Sequence, residues 1–379
     1  MKKLAIIGAS CWQLPLINKA KERNLETHVF AWASGDVGEE AADYFYPISI
    51  LEKDDILEKC REIGIDGICS IGSDLASITV NYVAGKMGLT CNPMSAVEAS
   101  TNKHLMRRCF EANGDPSPLS IMVSSADELD GLNLTYPVIV KPVDRSGSRG
   151  ITKLDNPSGL KEAVDNAIEQ GFEKKALVEE YATGQEYSVE YYSWQGEHHF
   201  LALTLKYTTG APGFIETGHL EPAPVNESTL SDVKKVVEHA LTSLGIKNGA
   251  SHSELKIAED GTIKIIEIGG RMGGDNIGAS LVNLSTGFDF VGAVIDIALG
   301  IEPEYTQDNT SCAAIRFVFT EDDIKCLDKI RSEHPEIISE VNIQPITDRV
   351  VTDSSTRFGY YTLVSKDAEI ISRYMPLLS

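Results

Sequence analysis

Two glutamates and an arginine between positions 254 and 271 have the types and spacing needed to hold a metal and a phosphate. Glu254 and Glu267 lie in two strand-like stretches around the turn Asp260-Gly261, which predicts a β-hairpin with both carboxylates level on one face. Neighbouring carboxylates repel unless a cation separates them, and their oxygen atoms suit Mg²⁺ carrying nucleotide phosphates. Arg271 adds a guanidinium that can clamp phosphate or carboxylate. Considered alone, a solvated hairpin with both carboxylates facing water explains the same residues.

A second candidate phosphate site follows the predicted buried strand 137–142. Lys141 lies near the end of this strand, and the small residues that follow can wrap phosphate oxygens with their backbone amides. These loop residues are Ser146, Gly147, Ser148 and Gly150. The loop differs from a P-loop, because it lacks the Gly-x-x-x-x-Gly-Lys-Ser/Thr pattern and precedes a strand instead of a helix. A simple hairpin turn remains the alternative for this segment.

The segment 177–189 has the groups that a nucleoside needs. An apolar strand delivers two glutamates, and a third follows a glycine turn. Adenine requires a backbone donor and acceptor, and ribose hydroxyls require an acceptor such as Glu186. The candidate residues for the adenine edge are Glu179, Glu180, Tyr181 and Ala182. Exposed hairpin carboxylates are again the alternative.

The elements before these residues predict a parallel sheet. Strands at 3–8, 26–32 and 67–71 alternate with helices at 14–23, 54–63 and 75–87, which is a βαβαβα pattern with helices on both faces. The first strand ends without a Gly-x-Gly-x-x-Gly motif, so a dinucleotide site there is not supported. A helix at 95–112 leads to the breaker cluster 114–118, where we place a domain boundary.

The rest of the chain is predicted to be rich in strands. Strands are predicted at 137–142, 151–154, 176–181, 186–193 and 200–206, and helices at 158–170, 228–244 and 289–299. The segment 207–225 is predicted to be a long irregular loop, and such loops are usually functional. Several short strands are expected within 312–363.

Composition excludes some classes of function. A chain of 379 residues can form two or three domains, and a formal net charge of −22 argues against binding nucleic acid or anionic membranes. No apolar run approaches a transmembrane span, and the apolar run at the N-terminus is too short for a signal peptide. The seven cysteines include no Cys-x-x-Cys pair, so neither a disulfide framework nor a zinc site is expected. We expect a cytoplasmic protein.

Taken in order along the chain, these candidates resemble the ATP-grasp family. The most specific parts are Val-Lys-Pro with its glycine loop, Val-Glu-Glu-Tyr-x-x-Gly-x-Glu, and Glu…Glu-Ile-Gly-Gly-Arg. The resemblance implies an α/β and α+β fold, with an N-terminal parallel α/β (pre-ATP-grasp) domain at 1–92 and an ATP-grasp region at 93–300. Within this region a central lid subdomain would span about 116–185, and a small C-terminal α+β part would span 301–379.

The resemblance also implies roles for the nucleotide-site residues. Lys103 and Lys141 match lysines that contact the ATP phosphates and the adenine pocket, and Lys141 would take part in catalysis. The loop 146–150 matches the lid over the phosphates. Residues 179–182 match the adenine hinge, and Glu186 matches the ribose-binding acid. Glu254 and Glu267 match the ligands of Mg²⁺ or Mn²⁺.

Two positions bear on the metal and the chemistry. Most members carry Asn where this chain has Gly269, which leaves the number of metal ions open. Arg271 matches the catalytic arginine that faces an acyl phosphate. The implied reaction is ATP-dependent formation of an amide between an amino-acid-like carboxylate and an amine, with small-molecule substrates and a homodimer as the expected assembly.

The segment Phe-Ile-Glu-Thr-Gly-His resembles the branch of the family that joins amino acids. It implies that Glu216 holds an ammonium group, that His219 assists the amine, and that Gly273 and Gly274 approach a substrate carboxylate. Either Glu216 or His219 could instead be an ordinary loop residue, and His252 is expected to be a strand residue and not a ligand. Two alternatives stay open: carboxyphosphate chemistry of the biotin carboxylase or carbamoyl phosphate synthase type, and a nucleotide-binding protein without catalysis.

Overall fold

The structure is a computed structural model that describes residues 1–144, 150–211 and 213–378. The predicted phosphate-loop residues Ser146, Gly147 and Ser148 therefore lie outside the described residues. Gly150, which is described, has a φ of +69°, a conformation that glycine adopts without strain.

The N-terminal part forms the predicted parallel sheet. Strands β1 to β4 have the order β3-β2-β1-β4 and pair in parallel. They span Lys3–Ile7, Glu26–Phe30, Tyr44–Tyr46 and Gly67–Cys69, and helices α1 to α4 span Leu14–Glu22, Val37–Ala41, Lys53–Ile63 and Asp74–Met87. This confirms the α/β pattern. The sequence missed β3 and α2, because elements of three and five residues are too short to show a period.

The helix predicted at 95–112 is two helices, α5 (Met94–Thr101) and α6 (Lys103–Asn113). Asn102 between them has an extended backbone, and its side chain accepts hydrogen bonds from the amides of His104 and Leu105. This is an N-cap, the preferred role of asparagine at a helix start. The cap places Lys103 in the first turn of α6, from which its side chain reaches the candidate site.

A four-stranded antiparallel sheet follows, with the order β5-β8-β6-β7. Its strands are β5 (Ser120–Val123), β6 (Val138–Pro142), β7 (Thr152–Leu154) and β8 (Ala176–Glu180), and α7 (Leu160–Gln170) covers one face. The buried residues Ala163, Val164 and Ala167 of α7 pack against Val138, Val140 and Val178 of the sheet. We call this unit the lid sheet, because it covers the cleft described below.

Within the described residues, the largest element is an eight-stranded antiparallel sheet with the order β13-β12-β9-β10-β11-β14-β16-β15. Its strands β9 to β16 span Gln185–Trp194, Glu197–Thr208, Glu216–Glu221, Gly249–Ile257, Ile263–Gly269, Cys312–Phe317, Ile338–Ile343 and Gly359–Ser365. The prediction of an irregular loop over 207–225 is wrong, because β11 (Glu216–Glu221) pairs with both β10 and β14. Strands β14 to β16 of the predicted C-terminal part continue this sheet; the division into domains stays a prediction.

Helices cover both faces of the large sheet. They are α8 (Glu227–Leu244), α9 (Val282–Thr286, after a π-helical turn at Ile277–Leu281), α10 (Phe290–Ala298), α11 (Glu321–Glu333) and α12 (Ala368–Ser372). The main core lies where Val233, Val237 and Leu241 of α8 pack on the strands. No single helix in the described residues has the length and apolar character to cross a membrane; Ile277–Thr286 and Phe290–Ala298 meet that test only as a pair, with a 119° bend between them.

One core carboxyl group predicts how stability depends on pH. Glu221 is fully buried and accepts hydrogen bonds of 2.6 Å from the hydroxyls of Thr204 and Ser285. Burial raises the pKa of Glu221 from its usual 4.5 to about 7. Since the folded state then holds a proton that the unfolded state has lost, this group's contribution to stability falls as pH rises from about 4.5 to about 7, by about 3 kcal/mol.

Glu221→Gln should therefore gain stability relative to wild type as the pH rises. We expect urea denaturation to show a difference between the two proteins that is about 3 kcal/mol more favourable to the variant at about pH 8 than at about pH 5. The matched control is Glu58→Gln on the exposed face of α3, for which the difference should be the same at both pH values. A Glu221→Gln difference that does not change with pH would show that Glu221 is ionised in the folded protein throughout this range.

Candidate functional site

The two glutamates of the hairpin are paired as the sequence predicts. Glu254 on β12 lies directly opposite Glu267 on β13, and the register shifts immediately after Glu254. Each carboxylate contacts a lysine: Lys206 Nζ is 2.7 Å from Glu254 Oε1, and Lys103 Nζ is 2.8 Å from Glu267 Oε1. Two lysines therefore offset the repulsion between the carboxylates, and both carboxylates line the same cleft.

This donor set fits Mg²⁺ that shares its ligands with a nucleotide. Among the described residues, no group of three or more His, Cys, Asp or Glu side chains is placed to hold a metal by itself. Mg²⁺ commonly takes only one or two carboxylates and completes its shell with phosphate oxygens and water. Glu254 and Glu267 provide such a pair. The expectation that Mn²⁺ can bind here depends on the same two side chains.

Gly269, at the position where the resemblance implies that most family members carry an asparagine ligand, has a steric reason to be glycine. A Cβ at this position would lie 3.1 Å from Asp74 Oδ1 and 3.2 Å from Arg271 Nε. Asp74 and Arg271 form a bidentate ion pair here, with distances of 2.8 and 3.2 Å. A larger side chain at 269 would push this ion pair apart, so glycine at 269 leaves the room that the Asp74–Arg271 contact needs.

The cleft lies between the lid sheet and the hairpin end of the large sheet, and we call it the main cleft. Its volume is about 190 Å³. It brings together most of the predicted ATP-binding and metal-binding residues in the described part of the chain. They are Lys103, Lys141, Glu179, Glu180, Tyr181, Ala182, Glu186, Glu254 and Glu267. Residues as far apart in sequence as 103 and 267 thus line one cleft, as an ordered set of nucleotide-binding residues requires.

The side chain of Glu179 is buried and forms ion pairs with two basic residues. It is 1% exposed and lies 2.6 Å from Lys141 Nζ and 2.9 Å from Arg107 Nε. Burial alone would raise the pKa of Glu179, but the charges of Lys141 and Arg107 outweigh it and lower the pKa to about 2. The Glu179 carboxylate therefore holds Lys141 in place, and the assignment of residues 179–182 to the adenine hinge, which depends on backbone groups, stays a prediction. Burial, with Arg107 and Lys103 nearby, lowers the pKa of Lys141.

The predicted adenine hinge continues beyond Glu179. The backbone amide of Tyr181 donates to the carbonyl of Pro137, which ties this segment to the lid sheet. The ring of Tyr181 has the ammonium groups of Lys153 and Lys256 at 4.7 and 4.8 Å from its centre. Glu180 pairs with Lys264 at the cleft edge. The hinge is therefore a fixed wall of the main cleft.

Lys206 is a functional candidate that the sequence reasoning missed. Its ammonium lies 2.9 Å from Glu186, 2.7 Å from Glu254 and 3.8 Å from Glu216, and the residue is 4% exposed. Burial opposes its charge, but the three carboxylates outweigh burial and raise the pKa of Lys206 well above its usual value. The available signal was a single lysine at the end of the mostly apolar strand segment 201–205, since a lysine buried in a strand needs an acidic partner.

His252 was predicted to be an ordinary strand residue, but it joins the site. Its Nδ1 bonds to the buried carboxylate of Glu190, and its Nε2 lies 3.4 Å from Glu254 Oε1. Although burial opposes the charge, the carboxylate of Glu190 outweighs it and raises the pKa of His252 to about 9. His252 is thus a charged link between a core glutamate and a metal-ligand candidate.

Beyond the hairpin, the main cleft opens into a second cavity of about 320 Å³. Both spaces are lined by Lys206, Glu216, His252, Glu254 and Arg271. The second cavity adds Asp74, His219, Gly274 and Asp275, among others. The predicted catalytic arginine and the predicted substrate residues Glu216, His219 and Gly274 therefore lie next to the predicted metal site.

His219 has an unusual environment in the second cavity. It is 1% exposed, and neither ring nitrogen has a hydrogen-bond partner among the described residues. Its Nε2 lies 3.6 Å from Asp275 Oδ2, which is too long for a hydrogen bond. Burial, with Lys206 nearby, lowers the pKa of His219 against the opposing effect of Asp275 and Glu216. The imidazole is therefore neutral at neutral pH and can accept a proton.

Gly273 has a different role from the predicted approach to a substrate carboxylate. Its amide donates to Glu190 Oε2 at 2.9 Å, and a Cβ there would lie 2.7 Å from Glu190 Oε1. That prediction is corrected for Gly273: the amide is used by the protein, and glycine is needed for the close approach of Glu190. At Gly274 a Cβ would meet no atom within 4 Å, so this residue leaves open space in the second cavity.

A third cavity of about 240 Å³ continues from the second. Asp275 lies between them and receives a hydrogen bond of 2.9 Å from Arg357, a residue that the sequence reasoning did not consider. Asp275 and Asn276 both have positive φ, +51° and +61°, in the left-handed region that Asp and Asn tolerate better than most other non-glycine residues. Trp12, from the loop after β1, lines the outer part of the cavity.

Comparison with known proteins agrees with this geometry. The family model described as "ATP-grasp domain" matches residues 134–279, which include the lid sheet from β6 onward and the hairpin. A D-alanine–D-alanine ligase of Clostridium perfringens (strain SM101 / Type A) is 30% identical over 146 residues, covering 37% of this chain and 48% of that protein. An alanine–anticapsin ligase of Bacillus subtilis (strain 168) is 23% identical over 299 residues, which cover 69% of this chain and 62% of that protein.

The fold as a whole is also similar to that of a solved structure. An L-amino acid ligase from Bacillus licheniformis has a TM-score of 0.85 and 24% identity, with 99% of this chain and 96% of that chain covered. This similarity shows that the described part of the chain shares its overall fold with that structure. By sequence, the chain spans between 48% and 62% of the length of the first three curated relatives it matches.

Proposed function

We propose that this chain, whose residues 134–279 belong to the ATP-grasp domain family, is an ATP-dependent ligase that joins an amino-acid-like carboxylate to an amine. The observation that carries the proposal is the shared wall of two cavities. Glu254 and Arg271 line both the main cleft and the second cavity, so a phosphate held in one faces a substrate held in the other. Transfer between two bound molecules needs this arrangement.

The main cleft would hold ATP. Lys103 and Lys141 supply positive charge at the phosphates, Glu186 is placed to accept hydrogen bonds from ribose hydroxyls, and the hinge at Tyr181 and Ala182 bounds the adenine. Glu254 and Glu267 would hold Mg²⁺, which when bound neutralises charge on the transferring phosphate and orients it. Without a metal, Lys103 and Lys206 form ion pairs with these two carboxylates, which supports a site whose negative charges need cationic partners.

The first chemical step would form an acyl phosphate in the second cavity. An oxygen of the substrate carboxylate attacks the γ-phosphorus, the bond from this phosphorus to the β–γ bridging oxygen breaks, and ADP leaves with the electron pair. Arg271, fixed by Asp74, offers donors to the phosphoryl oxygens or to the substrate carboxylate. No protein nucleophile is required, because positioning and charge stabilisation lower the barrier.

The second step would be attack of the amine on the acyl carbon, with inorganic phosphate leaving. An amine in water is largely an ammonium ion, so it must lose a proton before it can attack. His219 is neutral, buried and faces the second cavity, and we assign it as the base that takes this proton. Asp275, 3.6 Å away, lies where it can stabilise the imidazolium that forms.

An amino-acid-like substrate fits the charges of the second cavity. Asp74, Glu216 and Asp275 contribute negative charge, while Arg271 and Lys206 contribute positive charge. A cavity with both signs complements a zwitterion, whose ammonium and carboxylate need opposite partners. Glu216, held by a 2.9 Å hydrogen bond from Ser354, is the acid that we assign to the substrate ammonium.

Trapping of the acyl phosphate tests this function. Incubation with ATP, Mg²⁺, hydroxylamine and a panel of single amino acids should give a hydroxamate with at least one of them, because a small nucleophile attacks an acyl phosphate readily. Arg271→Ala should lower hydroxamate formation by about 100-fold, since it removes donors at the transferring phosphoryl group. Arg331→Ala on exposed α11 is the matched control and should match wild type.

The outcome also separates the alternatives. ADP release that depends on bicarbonate, without a hydroxamate from any amino acid, would replace the ligase with carboxyphosphate chemistry. ATP binding without turnover under every substrate pair would indicate a nucleotide-binding protein. Phosphate release that requires two amino acids together would identify both the acid and the amine.

A further inference from the structure

The third cavity has no role in the proposed steps, although it opens directly from the space where they would occur. It shares Gly72, Gly274, Asp275 and Ser354 with the second cavity. Its volume is about 240 Å³. A substrate whose carboxylate meets Arg271 in the second cavity would therefore have an adjoining space into which another part of the same molecule can extend.

The topology of the N-terminal sheet explains why a cavity lies here. Trp12 comes from the loop after β1, and Ile71 and Gly72 come from the loop after β4. Strand β1 lies between β2 and β4 and is parallel to both. The chain leaves β1 towards β2, on the side away from β4, so the loops at the carboxyl ends of β1 and β4 diverge. The crevice between such loops is where open α/β sheets bind ligands.

Gln13 holds these two loops together. It is buried, its side-chain nitrogen donates to the carbonyl of Ile71, and its side-chain oxygen accepts a hydrogen bond of 3.0 Å from the amide of the same residue. Trp12 is the residue directly before Gln13, so this part of the cavity wall is formed before a ligand arrives. A preformed wall lowers the entropic cost of binding.

The charged groups of the third cavity are engaged in contacts within the protein. Arg357 donates to Asp275 at 2.9 Å and, from Nε, to the carbonyl of Ser354 at 2.8 Å. Asp353 accepts a hydrogen bond of 2.8 Å from the amide of Ser355. A charged group of a ligand would have to compete with these contacts. Charge is therefore not the property for which the third cavity selects.

The apolar side chains of the third cavity favour a large aromatic group. Ile71 and Met272 are buried residues of its wall, and Trp12 is 42% exposed at the outer part. Indole rings pack well against other aromatic rings, and the thioether of methionine also contacts such rings favourably. The volume far exceeds the roughly 30 Å³ that one water molecule occupies in the liquid, so a methyl group would leave most of the cavity unfilled.

We propose that the third cavity binds the side chain of the amino acid whose carboxylate is activated, and that it selects a large apolar side chain, by preference an aromatic one. This inference rests on the proposed function, because it assumes that the carboxylate and ammonium of that amino acid lie in the second cavity. The side chain then extends past two glycines. A Cβ at Gly274 would meet no atom of the described residues within 4 Å, and a Cβ at Gly72 would lie 4.0 Å from the Cα of Gly274. The two glycines therefore leave the passage between the cavities open.

Hydroxylamine trapping with single amino acids tests this selection, because no amine substrate is present. The kcat/KM of wild type should be about 100-fold higher for phenylalanine than for alanine, since the aromatic ring fills a space that a methyl group leaves empty. Trp12→Ala should lower this ratio about tenfold, because it removes the aromatic contact. Trp32→Ala makes the same change in the exposed loop after β2 and is the matched control, which should leave the ratio unchanged.

Gly274→Val tests the passage between the two cavities. The ratio of kcat/KM for phenylalanine to that for alanine should fall by about 30-fold, because the valine side chain occupies the space through which the aromatic side chain extends. General damage to the site would lower both values alike and leave the ratio as in wild type. An unchanged ratio in Gly274→Val or in Trp12→Ala would overturn the inference, and so would a wild-type preference for alanine, lysine or glutamate.

Tryptophan fluorescence distinguishes a failure of this inference from a failure of the ligase assignment, because it needs no turnover. Phenylalanine that covers Trp12 should shift the emission to shorter wavelength, since it removes water from the indole ring. Trp12→Phe should abolish the shift, and the control Trp32→Phe should keep it. If the shift occurs but no amino acid gives a hydroxamate, the ligase assignment fails while the third cavity remains a site for aromatic side chains. If hydroxamates form and phenylalanine gives no shift, the ligase assignment stands and this inference is rejected.

Discussion

Glu267→Gln is expected to reduce ATP turnover by about 1,000-fold or more while leaving the fold intact. The change removes one of the two opposed carboxylates of the hairpin and keeps the size of the side chain. An amide oxygen carries no negative charge and binds Mg²⁺ more weakly than a carboxylate does, so the metal that balances the charge on the transferring phosphate would be held less tightly. Steady-state ADP release at saturating ATP measures the loss, and thermal denaturation checks that the variant is folded.

The hairpin itself offers the control for this experiment. Glu259→Gln makes the same chemical change at the exposed turn between β12 and β13, and it should leave turnover unchanged. Lys103, which lies 2.8 Å from Glu267 Oε1, can still donate a hydrogen bond to the amide oxygen of the variant, so the packing around it should persist. Glu267→Gln turnover equal to wild type at limiting Mg²⁺ would exclude Glu267 as a metal ligand.

The sequence located this hairpin because its information is local. A strand has a period of two residues, and a glycine turn sets the register between adjacent strands, so the pairing of Glu254 with Glu267 follows from a segment of about 20 residues. The parallel N-terminal sheet was predictable for a similar reason, since each strand and helix shows its own period. The break at Asn102 was not predicted, because a capping asparagine leaves the helical spacing on both sides intact.

The residues that hold the site together were not predictable in this way. Arg271 meets Asp74 across 197 residues, and His252 meets Glu190 across 62 residues. Such contacts depend on which strands are neighbours in the sheet. The strand order β12-β9-β10-β11 cannot be deduced from the periodicity of hydrophobic residues within any one segment. Lys206 is buried among acids only because β10 lies within this order. Strand β11 was missed for the same reason: this six-residue segment lies between stretches rich in Gly, Pro and Thr, and it becomes a strand because two neighbouring strands supply its hydrogen bonds.

His219→Gln should separate the two steps of the proposed reaction. We expect kcat/KM for the natural amine to fall by about 1,000-fold, because glutamine cannot take the proton that the amine must lose. Hydroxamate formation should stay within about threefold of wild type, since hydroxylamine is already unprotonated at neutral pH and the acyl phosphate forms without a base. His239→Gln, on exposed α8 beside Asp115, is the matched control and should leave both reactions unchanged.

The dependence of this step on pH follows from the environment of His219. Burial, with Lys206 adding to it, lowers the pKa of His219 from its usual 6.5, so the ring stays neutral into mildly acidic solution and is protonated only below its usual range. Once the pH dependence of the amine's own ionisation is subtracted, amide formation by wild type should lose rate only below that usual range. The residual rate of His219→Gln should lack this acidic loss. If His219→Gln impaired hydroxamate and amide formation equally, His219 would act in phosphoryl transfer or packing, and the base for the amine would have to be another residue of the second cavity.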